Sequence, residues 1–199
     1  MNNSRRSVEI AGAGLSGLAL AVRMAQLGWK VTLHEKNNDL RMFGAGIWLW
    51  GNGLKSLQMI GAYDEAVRRA KVIKEWRIAD QEGNVLMTRP MPPGDQLLLP
   101  PREDLYQSLI NRAIAEGVEI RTSSTAISVR PEGVLVLENG DEIYANKIVS
   151  NLDVKRTFLK VVEEKQLPED FYQAVKNFKI RGSSGKLNIA LDDLPLWKS

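Results

Sequence analysis

An α/β fold built on a parallel β-sheet is predicted by three features of the first thirty-five residues. An apolar strand, 8–11, leads through a glycine-rich turn into an amphipathic helix, 15–27. A second apolar strand, 30–35, follows and ends on an acidic residue. This order of strand, helix and strand gives parallel strands, because such crossovers are right-handed in nearly all proteins.

Alternating and helical patterns predict further elements up to residue 150. Strands are expected over 75–80, 85–89, 118–121, 126–130, 134–138, 142–145 and 148–149, and helices over 54–60, 63–70 and 102–116. The polar, glycine-containing segments 81–84 and 139–140 are typical of hairpin turns. The segment 91–101 is expected to be a proline-rich loop.

The glycine-rich turn has the GxGxxG pattern of dinucleotide-binding proteins. Gly12 permits the tight turn, Gly14 lets a pyrophosphate approach the backbone, and Gly17 lets the helix pack closely on the strand. The N–H groups and dipole at the start of the helix favour phosphate charge. The residues expected to contact the dinucleotide here are Gly12, Ala13, Gly14, Leu15, Ser16 and Gly17.

Glu35, at the end of the second strand, lies 18 residues after Gly17. Its carboxylate is placed to accept hydrogen bonds from both ribose hydroxyls and would repel a 2′-phosphate, which argues against NADP at this site. Together the pattern and the acidic residue predict a Rossmann-type dinucleotide-binding unit. They do not decide between NAD and FAD.

The composition excludes several kinds of chemistry. The chain has no cysteine and one histidine, which excludes disulfides, thiolate catalysis and Cys-ligated metals, so chemistry must come largely from a bound cofactor. Its 27 basic and 24 acidic residues form no basic cluster of the kind that nucleic-acid binding requires. We therefore expect no metal site and no nucleic-acid partner, and we assign no catalytic residue.

The N-terminus resembles a twin-arginine export signal, with two arginines in 4–6 before an apolar run over 8–22. The glycines within that run favour a strand, turn and helix instead. No apolar run is long enough for a membrane span. A cytoplasmic location is therefore expected.

Residues 8–148 resemble the flavin-dependent aromatic hydroxylases built like p-hydroxybenzoate hydroxylase. The similarity is carried by Leu-His-Glu-Lys over 33–36, Leu-Arg-Met-Phe-Gly-Ala-Gly-Ile over 40–47 and Leu-Trp-Gly-Asn-Gly-Leu over 49–54. These segments are most similar to the branch that acts on pyridine-ring acids. The resemblance implies an FAD-binding domain whose parallel sheet is interrupted by an antiparallel hairpin crossover. It also implies FAD as cofactor, NAD(P)H as reductant and a small aromatic substrate.

The resemblance also implies contacts beyond the glycine turn. Arg41 would approach FAD, and Arg102 would contact its phosphates or ribityl chain. Gly46 would run close to the flavin ring, and the backbone at Ala126 would lie against the adenine. Lys36, next to the ribose carboxylate, completes the expected cofactor-binding set.

Simpler interpretations of these residues stay open. Arg41 could be an ordinary surface arginine. Arg102 could simply begin its helix, although a cation there opposes the helix dipole and favours an anionic partner. Trp48 and Trp50 would share one strand face, where core packing is the default interpretation and stacking on a substrate the alternative. His34 is expected to be structural.

The hydroxylase resemblance ends near residue 150. Ser-Asn-Leu-Asp over 150–153 replaces the Gly-Ala-Asp-Gly segment of that family. Residues 148–199 instead resemble phytoene desaturase and amine oxidase-like FAD oxidoreductases, through 149–153, 155–158 and 181–191. We therefore expect a truncated or hybrid fold.

Two domains are expected. An FAD-binding domain, 1–150, has discontinuous elements 7–52 and 102–150, and an extension, 151–199, resembles the start of a desaturase substrate domain. In this extension helices are expected over 154–165 and 168–178, and a strand over 186–191. The alternative for the extension is that it carries no chemistry.

The expected function is that of an NAD(P)H-dependent aromatic-ring monooxygenase or an incomplete version of one. One alternative is a non-catalytic or partner-dependent FAD-binding module, completed by a second copy or by a partner chain. The other is a desaturase or oxidase.

Overall fold

The chain begins with alternating strands and helices and continues as short antiparallel sheets. The computed structural model describes residues 6–40, 44, 46–130 and 132–180. The strands are β1 (Ser7–Ala11), β2 (Lys30–His34), β3 (Leu49–Trp50), β4 (Lys71–Val72), β5 (Glu75–Ala79), β6 (Val85–Pro90), β7 (Leu97–Leu99), β8 (Glu119–Arg121), β9 (Ala126–Arg130), β10 (Val134–Leu137) and β11 (Glu142–Tyr144). The helices are α1 (Leu15–Gln26), α2 (Gly51–Ile60), α3 (Tyr63–Val67), α4 (Arg102–Ala115), α5 (Val154–Arg156) and α6 (Glu169–Asn177).

Strands β1, β2 and β8 form a parallel sheet in the order β1-β2-β8, as the pattern of the first residues predicts. Leu33 pairs with Ile10 on one side and with Ile120 on the other. Helices α1 and α4 pack on this sheet, and their inward side chains include Leu18 and Leu109. The burial of both apolar helix faces against the sheet is the main stabilising contribution, because each buried leucine contributes about 1.5–3 kcal/mol.

Three antiparallel sheets accompany the parallel one. Strands β9, β10 and β11 form the order β11-β10-β9, β5 pairs with β6, and β7 lies between β3 and β4. The two hairpin turns are where the sequence predicts them. Strand β7 is a correction, because the segment 91–101 is not a loop throughout. Strand β7 forms because it pairs with β3 and β4, which are distant in sequence. The local propensity of a proline-rich segment does not predict such pairing.

Several predicted elements differ from the structure. Residues 148–149 form no strand, and Val149 is 91% exposed. The helix predicted over 154–165 is instead α5, followed by a π-helical turn, Thr157–Val161, and a 3₁₀ turn, Glu164–Gln166. These turns lie at the surface and bury no residue, so no apolar stripe holds them in one long helix. The helix predicted over 63–70 ends at Val67.

The tryptophan prediction also needs correction. Trp48 and Trp50 are 48% and 44% exposed, so the core-packing interpretation is wrong. Strand β3 is too short for both side chains to lie on one buried strand face, and Trp50 is the residue that precedes α2. The Trp48 ring instead meets the ring of Trp76 edge to face, with centroids 4.3 Å apart.

The extension after residue 150 consists of short helical elements. Asp153 begins α5, and its Oδ1 accepts hydrogen bonds from the N–H groups of Lys155 and Arg156, each 3.1 Å long. Phe158 contacts Phe171 of α6 edge to face at 4.9 Å between ring centroids. The predicted strand 186–191 lies outside the described residues. In the ranges that are described, no helix is both long and apolar enough to cross a membrane.

One charged pair ties the segment after α3 to the first turn of α4. Arg69 donates from Nε to Oδ2 of Asp104 over 2.7 Å, and its Nη2 donates to Oδ1. The Asp104 side chain is buried, and its hydrogen bonds to Arg69 hold the pKa of its carboxyl below the usual range. A lowered pKa stabilises the fold above the unfolded-state value of about 3.9, and this contribution disappears as the pH falls through the folded-state pKa.

We predict that Asp104→Asn lowers the Tm by about 2–4 °C near neutral pH, because the paired carboxylate is lost. The variant should also lose less stability than the native chain as the pH falls below about 4. Thermal unfolding between pH 7 and pH 3 measures both effects. The matched control is Asp64→Asn, because Asp64 is an exposed aspartate in the first turn of α3. A steeper acid loss in Asp104→Asn than in the native chain would contradict the prediction.

Candidate functional site

The glycine turn between β1 and α1 has the geometry that its sequence predicts. Gly12 has a φ of +101°, which favours glycine, and its N–H donates to the His34 carbonyl over 2.7 Å. A Cβ on Gly17 would lie 2.0 Å from the Gly12 carbonyl oxygen, so α1 can pack this closely only without a side chain there. A Cβ on Gly14 would meet no atom within 4 Å, which leaves open space beside the start of α1.

The N-terminus of α1 is suited to an anion. Gly14 is its N-cap, no side chain caps the helix, and the first turn contains no acidic residue. The first-turn N–H groups have no partner within the helix, and the helix dipole adds positive potential at the same end. A phosphate at the open space beside Gly14 would satisfy these groups.

Glu35 lies where a ribose carboxylate is expected. Its Oε2 accepts from the Ala13 N–H over 2.9 Å, which places the carboxylate against the glycine turn. Its Oε1 accepts from the backbone N–H of Asn37 over 3.0 Å and from Nδ2 of Asn37 over 2.8 Å. A carboxylate has about four acceptor positions, so these three donors leave capacity for a hydroxyl of a ligand.

The structure places Gly44 beside Arg102 and pairs Gly46 with Pro101. A Cβ on Gly44 would lie 3.2 Å from Nη1 of Arg102, and Gly44 has a φ of +129°. Gly46 forms an isolated antiparallel bridge with Pro101, and a Cβ there would lie 2.9 Å from Leu99 Cδ1. Among the residues that the structure describes, the buried Nε of Arg102 has no hydrogen-bond partner. A buried guanidinium nitrogen without a partner is costly and fits an anionic or polar ligand.

The other three residues predicted to contact the cofactor are Ala126, Lys36 and Arg41. Ala126 is the first residue of β9 and is half-buried, whereas the Lys36 side chain is exposed. Next to Ala126, a cavity of about 220 Å³ is lined by residues from two segments. These residues are Ser123, Ser124, Thr125, Leu137, Glu138 and Asn139. Arg41 lies outside the described residues.

The sequence analysis missed Asn37 and Tyr106 near the ribose carboxylate. The signal for Asn37 was its position two residues after Glu35, where an amide can bond the carboxylate through side chain and backbone. Burial raises the pKa of the Tyr106 phenol, and the charges of Glu35 and Asp39 raise it further, so this phenol is neutral near pH 7. Tyr106 gave no sequence signal, because only the packing of α4 places it here.

Taken together, these residues can hold a dinucleotide by its phosphates, by a ribose and by a further anionic or polar group. Within the described part of the chain, no group of three or more His, Cys, Asp or Glu side chains is arranged to hold a metal ion. The geometry of these donors and acceptors supports binding and orientation of a cofactor.

We predict opposite outcomes for two glycine substitutions one helical turn apart. Gly17→Ala should destabilise the chain without any ligand by about 1–3 kcal/mol or more, because its Cβ meets the Gly12 carbonyl. Gly14→Ala should leave this stability within about 0.5 kcal/mol, because Gly14 has a φ of −72° and open space beside it. Urea unfolding of both variants measures the difference, and equal destabilisation would contradict the assignment.

Comparisons with known proteins show which proteins this chain resembles. No family model matches the chain. The chain is 36% identical over 148 residues to a probable 2-heptyl-3-hydroxy-4(1H)-quinolone synthase of Rhodococcus erythropolis, covering 73% of this chain and 38% of that protein. It is 35% identical over 88 residues to 6-hydroxynicotinate 3-monooxygenase of Bordetella bronchiseptica, covering 44% of this chain and 23% of that enzyme.

Solved structures agree with the sequence relatives. A tetrameric 2-methyl-3-hydroxypyridine-5-carboxylic acid oxygenase superposes with a TM-score of 0.69 and 36% identity, over 76% of this chain and 40% of that one. A probable FAD-dependent monooxygenase from Pseudomonas aeruginosa shares the fold, with a TM-score of 0.61 and 24% identity over 78% of this chain and 46% of that one.

The chain spans less than half of the length of each of these relatives. Over the matched parts its sequence is 24–36% identical to theirs. The chain is therefore a relative of the FAD-dependent aromatic monooxygenases.

Proposed function

We propose that this chain contains the Rossmann-type FAD-binding unit of an NAD(P)H-dependent aromatic monooxygenase, over residues 1–150. The observation that carries the choice of FAD over NAD is Arg102, whose side chain lies beside Gly44 and whose buried Nε has no hydrogen-bond partner among the described residues. Both dinucleotides contain a pyrophosphate, but only FAD continues into a ribityl chain. The ribityl hydroxyls can accept a hydrogen bond from such a donor.

Each part of the site has a distinct role in this proposal. The glycine turn and the start of α1 hold the pyrophosphate, and Glu35 accepts from ribose hydroxyls. The backbone near Ala126 lies against the adenine, and Gly46 offers a close backbone approach to the flavin ring. When bound, the flavin supplies electron transfer and oxygen chemistry, and the protein residues orient it.

The substrate class follows from the named relatives. Their names specify a quinolone, a hydroxynicotinate and a hydroxypyridine carboxylic acid, so we propose a small nitrogen-containing or carboxylated aromatic ring. The tetrameric relative supports an oligomer for this chain as well.

A second candidate function is favoured by the β5–β6 hairpin. Its apolar side chains Ile78, Leu86 and Met87 are 51%, 68% and 47% exposed. A two-stranded hairpin is only marginally stable alone, and exposed apolar side chains on it mark an interaction surface. The alternative is therefore an FAD-binding module that a second copy or partner chain completes. In either case the extension after residue 150 has no assigned chemistry.

We predict that the purified chain binds FAD in preference to NAD and NADP, and that Arg102→Gln weakens FAD binding by about tenfold or more. Flavin fluorescence titration and competition with NAD measure this. The matched control is Arg23→Gln, because Arg23 is exposed in the last turn of α1, away from the glycine turn. Tighter binding of NAD than of FAD would disprove the proposed cofactor.

We further predict that the chain with FAD and NADH forms hydrogen peroxide rather than hydroxylated product. Productive oxygen transfer needs a site closed to water and a positioned substrate, and the hairpin face lies open. Hydroxylated product should form about a hundredfold or more slowly than in a closed site that positions its substrate. Product analysis with a panel of pyridine and benzene carboxylates tests this, and stoichiometric hydroxylation would overturn it.

A further inference from the structure

His34 is a buried polar side chain that joins three segments of the fold. It is 1% exposed, at the end of β2. Its Nε2 lies 2.8 Å from Oε2 of Glu9 on β1, and its Nδ1 lies 2.8 Å from Oγ of Ser124, in the loop before β9. A buried ring with both nitrogens bonded has one preferred orientation, so it links β1 to that loop.

The chemistry of the partner fixes the direction of the first of these bonds. An ionised carboxylate is only an acceptor, so Nε2 carries the proton that faces Glu9. The second bond joins Nδ1 to the Ser124 hydroxyl, which can donate or accept, so it forms in either protonation state of the ring. The Ser124 side chain is thereby turned into the protein and held there.

The loop that Ser124 belongs to is also fixed by backbone bonds around the ribose carboxylate. The Ser124 N–H donates to the Glu35 carbonyl over 2.8 Å, and the Ser123 N–H donates to the Asn37 carbonyl over 2.9 Å. Ser123 has a φ of +51°, an uncommon conformation for a residue other than glycine. Such strain persists only where the surrounding structure holds it.

We propose that His34 is a positioning residue for the adenosine half of the dinucleotide. By holding Ser124, it fixes the loop 123–125 relative to Glu35 and shapes the cavity of about 220 Å³ that this loop lines. The carbonyl oxygen of His34 also accepts the Gly12 N–H. His34 therefore bonds both the glycine turn and the loop 123–125, and it fixes their positions relative to each other. This inference rests on the proposed binding of FAD.

The test uses Ser124→Ala, Ser124→Thr and His34→Leu in the full chain, with FAD and ADP as ligands in isothermal titration calorimetry. ADP carries the adenosine and the pyrophosphate of FAD without its riboflavin part. Ser124→Ala should weaken FAD and ADP by the same factor, about threefold to tenfold, with an unchanged number of binding sites. Ser124→Thr, which keeps the hydroxyl, should bind within about twofold of the native chain. His34→Leu removes both bonds and should weaken binding by more than Ser124→Ala.

The control is Ser108→Ala, because Ser108 is a buried serine that bonds the Leu105 carbonyl within α4. It should leave both affinities unchanged. Native affinity in Ser124→Ala would overturn the positioning role while FAD binding itself stands. A fall in the number of sites at native affinity would also overturn it, since that is the result of misfolding alone. If the native chain binds no FAD, the proposed function fails instead. If His34→Leu does not fold, the serine variants still decide.

Discussion

The contact between α1 and the turn that precedes it is the constraint on which the rest of the structure depends. The helix starts so close to β1 that a Cβ at Gly17 would lie 2.0 Å from the Gly12 carbonyl. This approach buries Leu18 and Val22 against the sheet and leaves the first-turn N–H groups pointing out of it. The same packing that stabilises the core therefore also forms the proposed anion site.

The residues at the end of β2 belong both to the hydrogen-bonded core and to the candidate site. The His34 carbonyl accepts the Gly12 N–H, and the Glu35 N–H donates to the Arg121 carbonyl of β8. Both faces of the strand are buried, so its polar end groups must find partners inside the protein. The Glu35 carboxylate finds three of them and keeps capacity for a ligand, whereas the Arg102 Nε has none among the described residues.

The part of the chain farther from this strand is less closely packed. The β5–β6 hairpin has apolar side chains that nothing in the described structure covers, and Ile148 and Val149 are exposed after β11. These surfaces lie outside the shared core of α1, α4 and the parallel sheet. A dinucleotide can be held by the core alone, but a ring substrate also needs walls that exclude water. Under the proposed function, binding and turnover would therefore depend on different parts of the fold.

The sequence by itself determined the strand–helix–strand start, the glycine turn, the placement of Glu35 and the hairpin turns, because each follows from local periodicity or from a backbone position that favours glycine. The tertiary structure alone decided β4 and β7, which form by pairing over long sequence distances, and the irregular run from α5 that replaces a long helix. It also decided that Trp48 and Trp50 lie half exposed and that Arg102 reaches the Gly44–Gly46 loop. The physical reason is that the burial of a residue and its bonding partners depend on several segments at once. A sequence pattern describes only one segment.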